Sequence, residues 1–193
     1  MHRLLALLVV VALLATAAVL VSSDDGGTTP AAAATGKRQV LVGKAKKLTG
    51  GVVSLSRYRG RVVLVVNTAS QCVNTPQFGQ LETLYNRKRG KGLLVLGFPS
   101  GDFGEQELTD AGDIAAFCKR NFGVSFPMFA KTHVTGARAH PFYKRLIREA
   151  GSPNWNFGKY LIDRKGHVVK RFDAYMSPSD PTIVKAIDRQ LKR

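Results

Sequence analysis

The chain has 193 residues, 45% of them hydrophobic, which suits one domain of ordinary size behind a leader-type segment and excludes both a peptide and a multidomain machine. Lysine and arginine number 29 against 13 acids, a formal charge of +16. Aromatics are only 8% and no RNA-binding or Cys/His finger pattern accompanies the charge, so nucleic acid is not an expected partner. Two cysteines, Cys72 and Cys118, rule out a disulfide-dense scaffold and a four-thiolate zinc cage while leaving room for a reactive thiol.

Behind the basic start of His2 and Arg3, residues 4–21 form an unbroken apolar run, with small residues suited to a signal-peptidase site at Ala15-Thr16-Ala17. Export is the expectation, to the periplasm or cell envelope, with residues 1–23 either cleaved or retained as an anchor. Residues 24–38 are small and polar without apolar period, and read as a flexible linker. The folded domain is expected over residues 39–193. Its basic character is its own, because residues 1–23 hold only Arg3 and no acid.

In chain order, Val40-Leu-Val42 and Val52-Val-Ser-Leu55 around Gly50-Gly51 predict a short N-terminal hairpin. Residues 61–67 are a β-branched run without polar alternation, the pattern of a strand covered on both faces. A helix is predicted over 76–89, with Pro76 in its opening turn and Gly90 and Gly92 as its stop. A second buried strand follows at 93–98, then a helix over 110–121 and an extended piece at 127–129. A helix over 140–150, a hairpin of 159–163 with 167–172, and a terminal helix over 181–191 complete the chain. This order predicts an α/β thioredoxin-like fold, a central mixed sheet flanked by helices, with an N-terminal hairpin. Reactive groups in open α/β sheets gather where parallel strands end.

Cys72 lies at such a place, in the turn between the first long strand and its helix. A thiol attacks as its thiolate, and unpaired N–H groups at the first turn of a helix favour that anion. The neighbouring small and polar residues predict solvent access. Position alone leaves a buried, inert cysteine as the equal alternative.

Asn67-Thr-Ala-Ser-Gln-Cys72, Leu93-Leu-Val-Leu-Gly-Phe-Pro99, Asp102-Phe-Gly-Glu-Gln106-Glu and Trp155-Asn156-Phe, in this order, resemble the successive signatures of the glutathione peroxidase family. Phe117-Cys-Lys-Arg-Asn-Phe-Gly-Val-Ser-Phe-Pro-Met-Phe129 and Tyr160-Leu-Ile-Asp-Arg-Lys-Gly166 extend the similarity, which covers about residues 40–191. The resemblance implies a catalytic group of Cys72, Gln106, Trp155 and Asn156, the last three offering N–H donors to the sulfur anion and to the oxygen leaving a peroxide. It implies hydrogen peroxide and organic or lipid hydroperoxides as substrates in an oxidative-stress role. A thiol reductant, glutathione or a thioredoxin-like protein, is implied with them, and no cofactor or metal. The short stretch 149–154, where tetrameric members carry an extra segment, implies a monomer.

Two positions depart from the family's usual pattern: Val73 stands where Gly is usual after the reactive residue, and Ser100 where Cys follows Phe-Pro. Val73 is expected to alter the backbone beside the thiol. In the two-cysteine branch a resolving cysteine lies on the helix over 110–121, and the closest alignment sets that position at Lys119. Cys118, one residue away, is kept as a possible resolving cysteine, but its spacing with Ile114 on the apolar face favours a packed, structural one.

His133, His140 and His167 share no metal-ligand spacing and read as surface or packing residues. Arg87-Lys88-Arg89 and Lys144-Arg145 read as solvated helix faces able to attract anionic thiols, an acidic redox partner or an anionic membrane surface. Two alternatives stand beside the peroxidase reading. One is a thioredoxin-like thiol-disulfide oxidoreductase, weakened because Thr75 occupies the second cysteine position of a Cys-x-x-Cys pair. The other is a non-catalytic basic envelope-associated module on the same fold.

Overall fold

The computed structural model describes residues 36–193. The expected leader of 1–23 and most of the linker of 24–38 lie outside the described residues. Among those described, no helix is long and apolar enough to cross a membrane.

A four-stranded sheet organises the domain. β3 (Val62–Thr68) lies at its centre, parallel to β4 (Leu93–Pro99) on one side and antiparallel to β5 (Lys159–Ile162) on the other, with β6 (Val168–Phe172) on the far edge of β5. All seven residues of β3 are buried. Alternate residues serve two cores: Val62, Leu64 and Val66 face one apolar cluster, Val63 and Val65 the other. That division is why no polar residue interrupts the strand before Asn67.

The first core is closed by α1 (Gln77–Lys88) through Phe78, Leu81 and Leu84, by Ile114 and Cys118 of α2 (Ala111–Phe122), and by Ile183 and Ile187 of α4 (Pro181–Leu191). The second is closed by Phe142, Tyr143 and Leu146 of α3 (Pro141–Ala150) and by a separate two-stranded hairpin. Each side chain of this size contributes about 1.5–3 kcal/mol on burial, so both faces of the sheet are held mainly by apolar packing. Polar caps set where helices begin. Asp110 accepts from the N–H groups of Gly112 and Asp113 at α2, His140 Nδ1 from Phe142 at α3, and Asp180 from Thr182 at α4. Parallel β3 and β4 with helices on both faces make this the predicted thioredoxin-like layer.

The hairpin is shifted from its predicted position. It joins β1 (Lys44–Lys46) to β2 (Val52–Ser54), with Lys44 opposite Ser54 and Lys46 opposite Val52, across Gly50 and Gly51, both of positive φ. Val40-Leu41-Val42 is not part of it. Val40 and Leu41 are buried in the second core, and the Val40 and Val42 carbonyls accept from the Arg145 guanidinium instead of a strand. Gly43, at φ +83°, then turns the chain into β1. The apolar run signalled burial, which strand and irregular segment share.

Candidate active site

Cys72 lies in the loop between Thr68 of β3 and Gln77 of α1, at the carboxyl end of the parallel pair. The helix begins five residues after it, so its sulfur is not on the first helical turn. Two consecutive turns fill the gap, with Thr75 N–H on the Cys72 carbonyl (2.9 Å) and Gln77 N–H on that of Asn74 (2.9 Å). Thr75 fastens the loop from within: its hydroxyl accepts from Cys72 N–H (2.9 Å) and donates to the Ala69 carbonyl (3.0 Å). This leaves the Asn74 N–H pointing at Cys72 Sγ, 3.4 Å away. The donor at the sulfur is thus a main-chain N–H of the turn and not the helix terminus.

The loop is fastened to two others. Gln71 N–H donates to the Gln106 carbonyl (2.9 Å) and Ser70 N–H to Glu107 Oε1 (3.1 Å), which binds it to the segment after β4. Asn74 Nδ2 donates to the Asn156 carbonyl (3.2 Å), which binds it to the segment before β5. That segment is anchored in turn by Asn67, whose Nδ2 donates to the Trp155 carbonyl (3.0 Å) while its own carbonyl accepts from Phe157 N–H (2.7 Å). The approach is close: a Cβ on Gly158 would meet Pro153 Cβ at 2.8 Å and Asn67 Oδ1 at 3.0 Å, and Phe157 sits at φ +72°. Lys159 seals the arrangement from below. Its buried Nζ donates to the carbonyls of Phe157 (2.7 Å), Ala174 (3.2 Å) and Asp173 (3.4 Å), and burial pulls its pKa down to about 7 against the opposing pull of Asp173.

Gln106, Trp155 and Asn156 thus come from distant stretches into one cluster with the Cys72 loop. Their amides are turned to each other. Asn156 Nδ2 donates to Gln106 Oε1 (3.1 Å) and to the Phe103 carbonyl (3.2 Å), while Asn156 Oδ1 is buried without a partner. Trp155 is half-buried, packed on Phe103 at 5.4 Å between ring centroids and on the apolar cluster that holds Cys72. The side-chain donors expected to face the sulfur are therefore partly engaged elsewhere, and Asn74 N–H is the donor that meets it.

Access is narrower than the small, polar neighbours predicted. Cys72 is only 7% exposed, whereas the adjoining Val73 is 79% exposed. Val73 does not need the positive φ that glycine permits: among the described residues the non-glycine positions of positive φ are Glu105 and Phe157. A polar cavity of about 890 Å³ opens next door, between 101–109 and 131–138, lined by Asp102, Glu105, Lys131 and Arg138 but not by Cys72. His133 borders it and is more than a surface residue: its Nδ1 lies 2.6 Å from Asp102 Oδ1.

Cys118 sits in the middle of α2 and is 2% exposed. Burial, with Glu107 adding to it, pushes its thiol up to about 12, so it is a neutral packing group at ordinary pH. Both cysteines are free. Among the described residues no cluster of His, Cys, Asp or Glu could hold a metal ion.

Asn67, Asn74, Thr75, Glu107 and Lys159 escaped the sequence reading as parts of this cluster. Asn67 and Lys159 carried a signal, each a polar residue at the end of an otherwise apolar strand. Asn74 carried none, because the contact it makes to sulfur is through its main chain.

Comparison with known proteins identifies the family and the fold. The family model described as glutathione peroxidase matches residues 41–147. A glutathione peroxidase homolog, BsaA, of Halalkalibacterium halodurans is 48% identical over 139 residues, 69% of this chain and 88% of the relative. A hydroperoxy fatty acid reductase of Synechocystis is 44% identical, covering 70% and 87%. The thioredoxin/glutathione peroxidase BtuE of Escherichia coli is 35% identical over 179 residues, covering 80% and 98%. Among solved structures, that of Trgpx in its apo form superposes with a TM-score of 0.66 at 34% identity, covering 81% of this chain and 97% of the other. A thiol:disulfide interchange protein of the thioredoxin family from Chlorobium tepidum, 14% identical with a TM-score of 0.57 over 81% of this chain and 97% of the other, shares the fold alone.

Proposed function

The chain belongs to the glutathione peroxidase family, and from that premise we propose that it is a thiol peroxidase whose peroxidatic residue is Cys72. The observation that carries the assignment is the Asn74 N–H directed at Cys72 Sγ, in a loop bonded to the segments bearing Gln106 and Trp155-Asn156. The thiol first loses its proton to solvent, and the thiolate attacks the terminal oxygen of a hydroperoxide in line with the O–O bond. That bond breaks, sulfur is oxidised to the sulfenic acid, and the alkoxide or hydroxide that leaves takes up a proton. A thiol then displaces water from the sulfenic acid, and a second thiol releases Cys72 as thiolate.

In this cycle Asn74 N–H steadies the thiolate. Rotation of the Asn156 amide out of its bond to Gln106 Oε1 frees its Nδ2 donor for the departing oxygen, beside the Gln106 Nε2 and the Trp155 indole N–H. Cys118 takes no part, because a thiol held neutral inside the first core neither attacks nor meets a sulfenic acid without unwinding α2. Lipid hydroperoxides and both glutathione and thioredoxin-like reductants fit the names borne by the Synechocystis and E. coli relatives. Export through the apolar run of 4–21 would place this chemistry in the cell envelope.

One equivalent of hydrogen peroxide in the presence of dimedone should put a single adduct on Cys72, read by peptide mass spectrometry. An adduct on Cys118, or peroxide turnover that survives Cys72→Ser, refutes the assignment.

A further inference from the structure

The two ends of the domain differ in their charged residues. β3 and β4 finish, at Thr68 and Pro99, on the end that holds Cys72, where the loops bring Asp102, Glu105, Asp110, Asp173 and Asp180 together with Lys131 and Arg138, a mixture of both signs. They start, at Val62 and Leu93, on the other end, which two arginines knit together. Arg61 donates to the carbonyls of Gly92 (3.2 Å) and Arg89 (3.1 Å), and Arg164 to those of Gly60 (2.8 Å) and Leu191 (3.1 Å). These bonds gather the turn before β3, the α1–β4 turn, the β5–β6 turn and the carboxyl end of α4 onto one face. Arg59, Arg89, Lys91, Lys165, Lys192 and Arg193 stand exposed on it. The acids nearby are already engaged: Asp163 accepts from the N–H groups of Lys165 and His167, and Asp188 holds Lys88.

The amino end of the domain, Gln39 and Val40, also lies on this face. Gln39 pairs with His167 and donates through Nε2 to the Lys165 carbonyl (2.8 Å), and Val40 N–H donates to that of Gly166 (2.8 Å). In sequence it is preceded by the polar stretch of 24–38 and the apolar run of 4–21. We propose that this basic face is a docking surface for an anionic phospholipid bilayer, which turns Cys72 away from the headgroups toward the surrounding medium. The face has the chemistry of peripheral headgroup contact, with many cations and no exposed large apolar side chain, since Val52, Val73 and Tyr175 lie elsewhere. Without exposed aromatics it offers no stacking platform for single-stranded nucleic acid.

The test is a lysine footprint. The full chain is mixed with vesicles of phosphatidylcholine alone or with added phosphatidylglycerol, labelled with an acetylating reagent, and read by peptide mass spectrometry. Acetylation of Lys91, Lys165 and Lys192 slows about fivefold or more on the anionic vesicles, the protection vanishes in concentrated salt, and Lys131 at the Cys72 end labels equally throughout. Arg59→Glu, Arg89→Glu and Arg193→Glu together abolish the protection while peroxide turnover and the melting temperature stay as in the parent chain. Equal labelling on both vesicles, protection of Lys131 instead, or protection by duplex DNA but not by anionic vesicles would overturn the proposal. Cys72→Ser leaves the footprint unchanged, so failure of the peroxidase assignment and failure of this one are read separately.

Discussion

Cys72 and Cys118 are packed into the same apolar cluster, and their exposures, 7% and 2%, hardly separate them. What separates them is the backbone around each. Cys118 sits mid-helix, where main-chain N–H groups are spent on carbonyls one turn back, so nothing near its sulfur favours a negative charge and Glu107 disfavours one. Cys72 sits in a pair of turns whose hydroxyl clamp, Thr75, leaves the Asn74 N–H directed at its sulfur. Burial does not separate the proposed peroxidatic thiol from the packed one; the donors left over by local chain geometry do.

The comparison breaks most directly by exchange. Cys72→Ser should abolish thiol-dependent peroxide consumption, and Cys118→Ser should leave it within about twofold of the parent in a coupled assay, at a small cost in melting temperature. If Cys118→Ser were the inactive variant, the distinction would be inverted.

Alkylation sharpens it without mutation. With Cys118 pushed up to about 12, its thiolate fraction at pH 8 is on the order of 10⁻⁴, so iodoacetamide should label Cys72 and spare Cys118 until the pH approaches that value. Time-resolved peptide mass spectrometry across pH 6–10 reads both sites in one sample.

Asn156→Ala probes the second ring of contacts. It removes the amide that bridges Gln106 and Phe103, and the second-order rate constant for peroxide should fall about a hundredfold, with the iodoacetamide rate of Cys72 little changed. Equal losses in both rates would mean that the variant disturbs the thiol rather than the departing oxygen.

The smallest effect concerns Lys159. Burial lowers its pKa to about 7 from its ordinary value of 10.5, so between those values the unfolded chain binds more protons than the folded one. Stability from this group therefore rises with pH from about 7 to about 10 and is lowest below 7. Urea titrations should show that rise in the parent chain and a flatter profile in Lys159→Met, which keeps the buried stem but loses the bonds to Phe157, Asp173 and Ala174.

The sheet and its helices were legible because they are written in period and punctuation. The unbroken apolar run of β3 announced a strand with two covered faces, and Asp110, Pro141 and Asp180-Pro181 marked helix starts. The hairpin was misplaced because β1 is Lys-Ala-Lys, whose single inward residue is Ala45, while the more apolar Val40-Leu-Val42 was buried by other means. The candidate site was legible as residues but not as geometry. Motif order pointed to Cys72, Gln106, Trp155 and Asn156, yet nothing in a linear pattern shows that Asn156 spends its amide on Gln106 or that the donor at sulfur is a main-chain N–H.

β3 finds its second neighbour, β5, only after most of the chain, and the Asn67–Trp155 bond spans 88 residues. A nascent polypeptide that has emerged only as far as α2 can present Cys72 but has no Trp155-Asn156 segment to complete its surroundings. On the assignment proposed above, the full set of contacts around this loop forms only once β5 is available, and a product truncated before it carries Cys72 without the Trp155-Asn156 segment to which the loop is bonded.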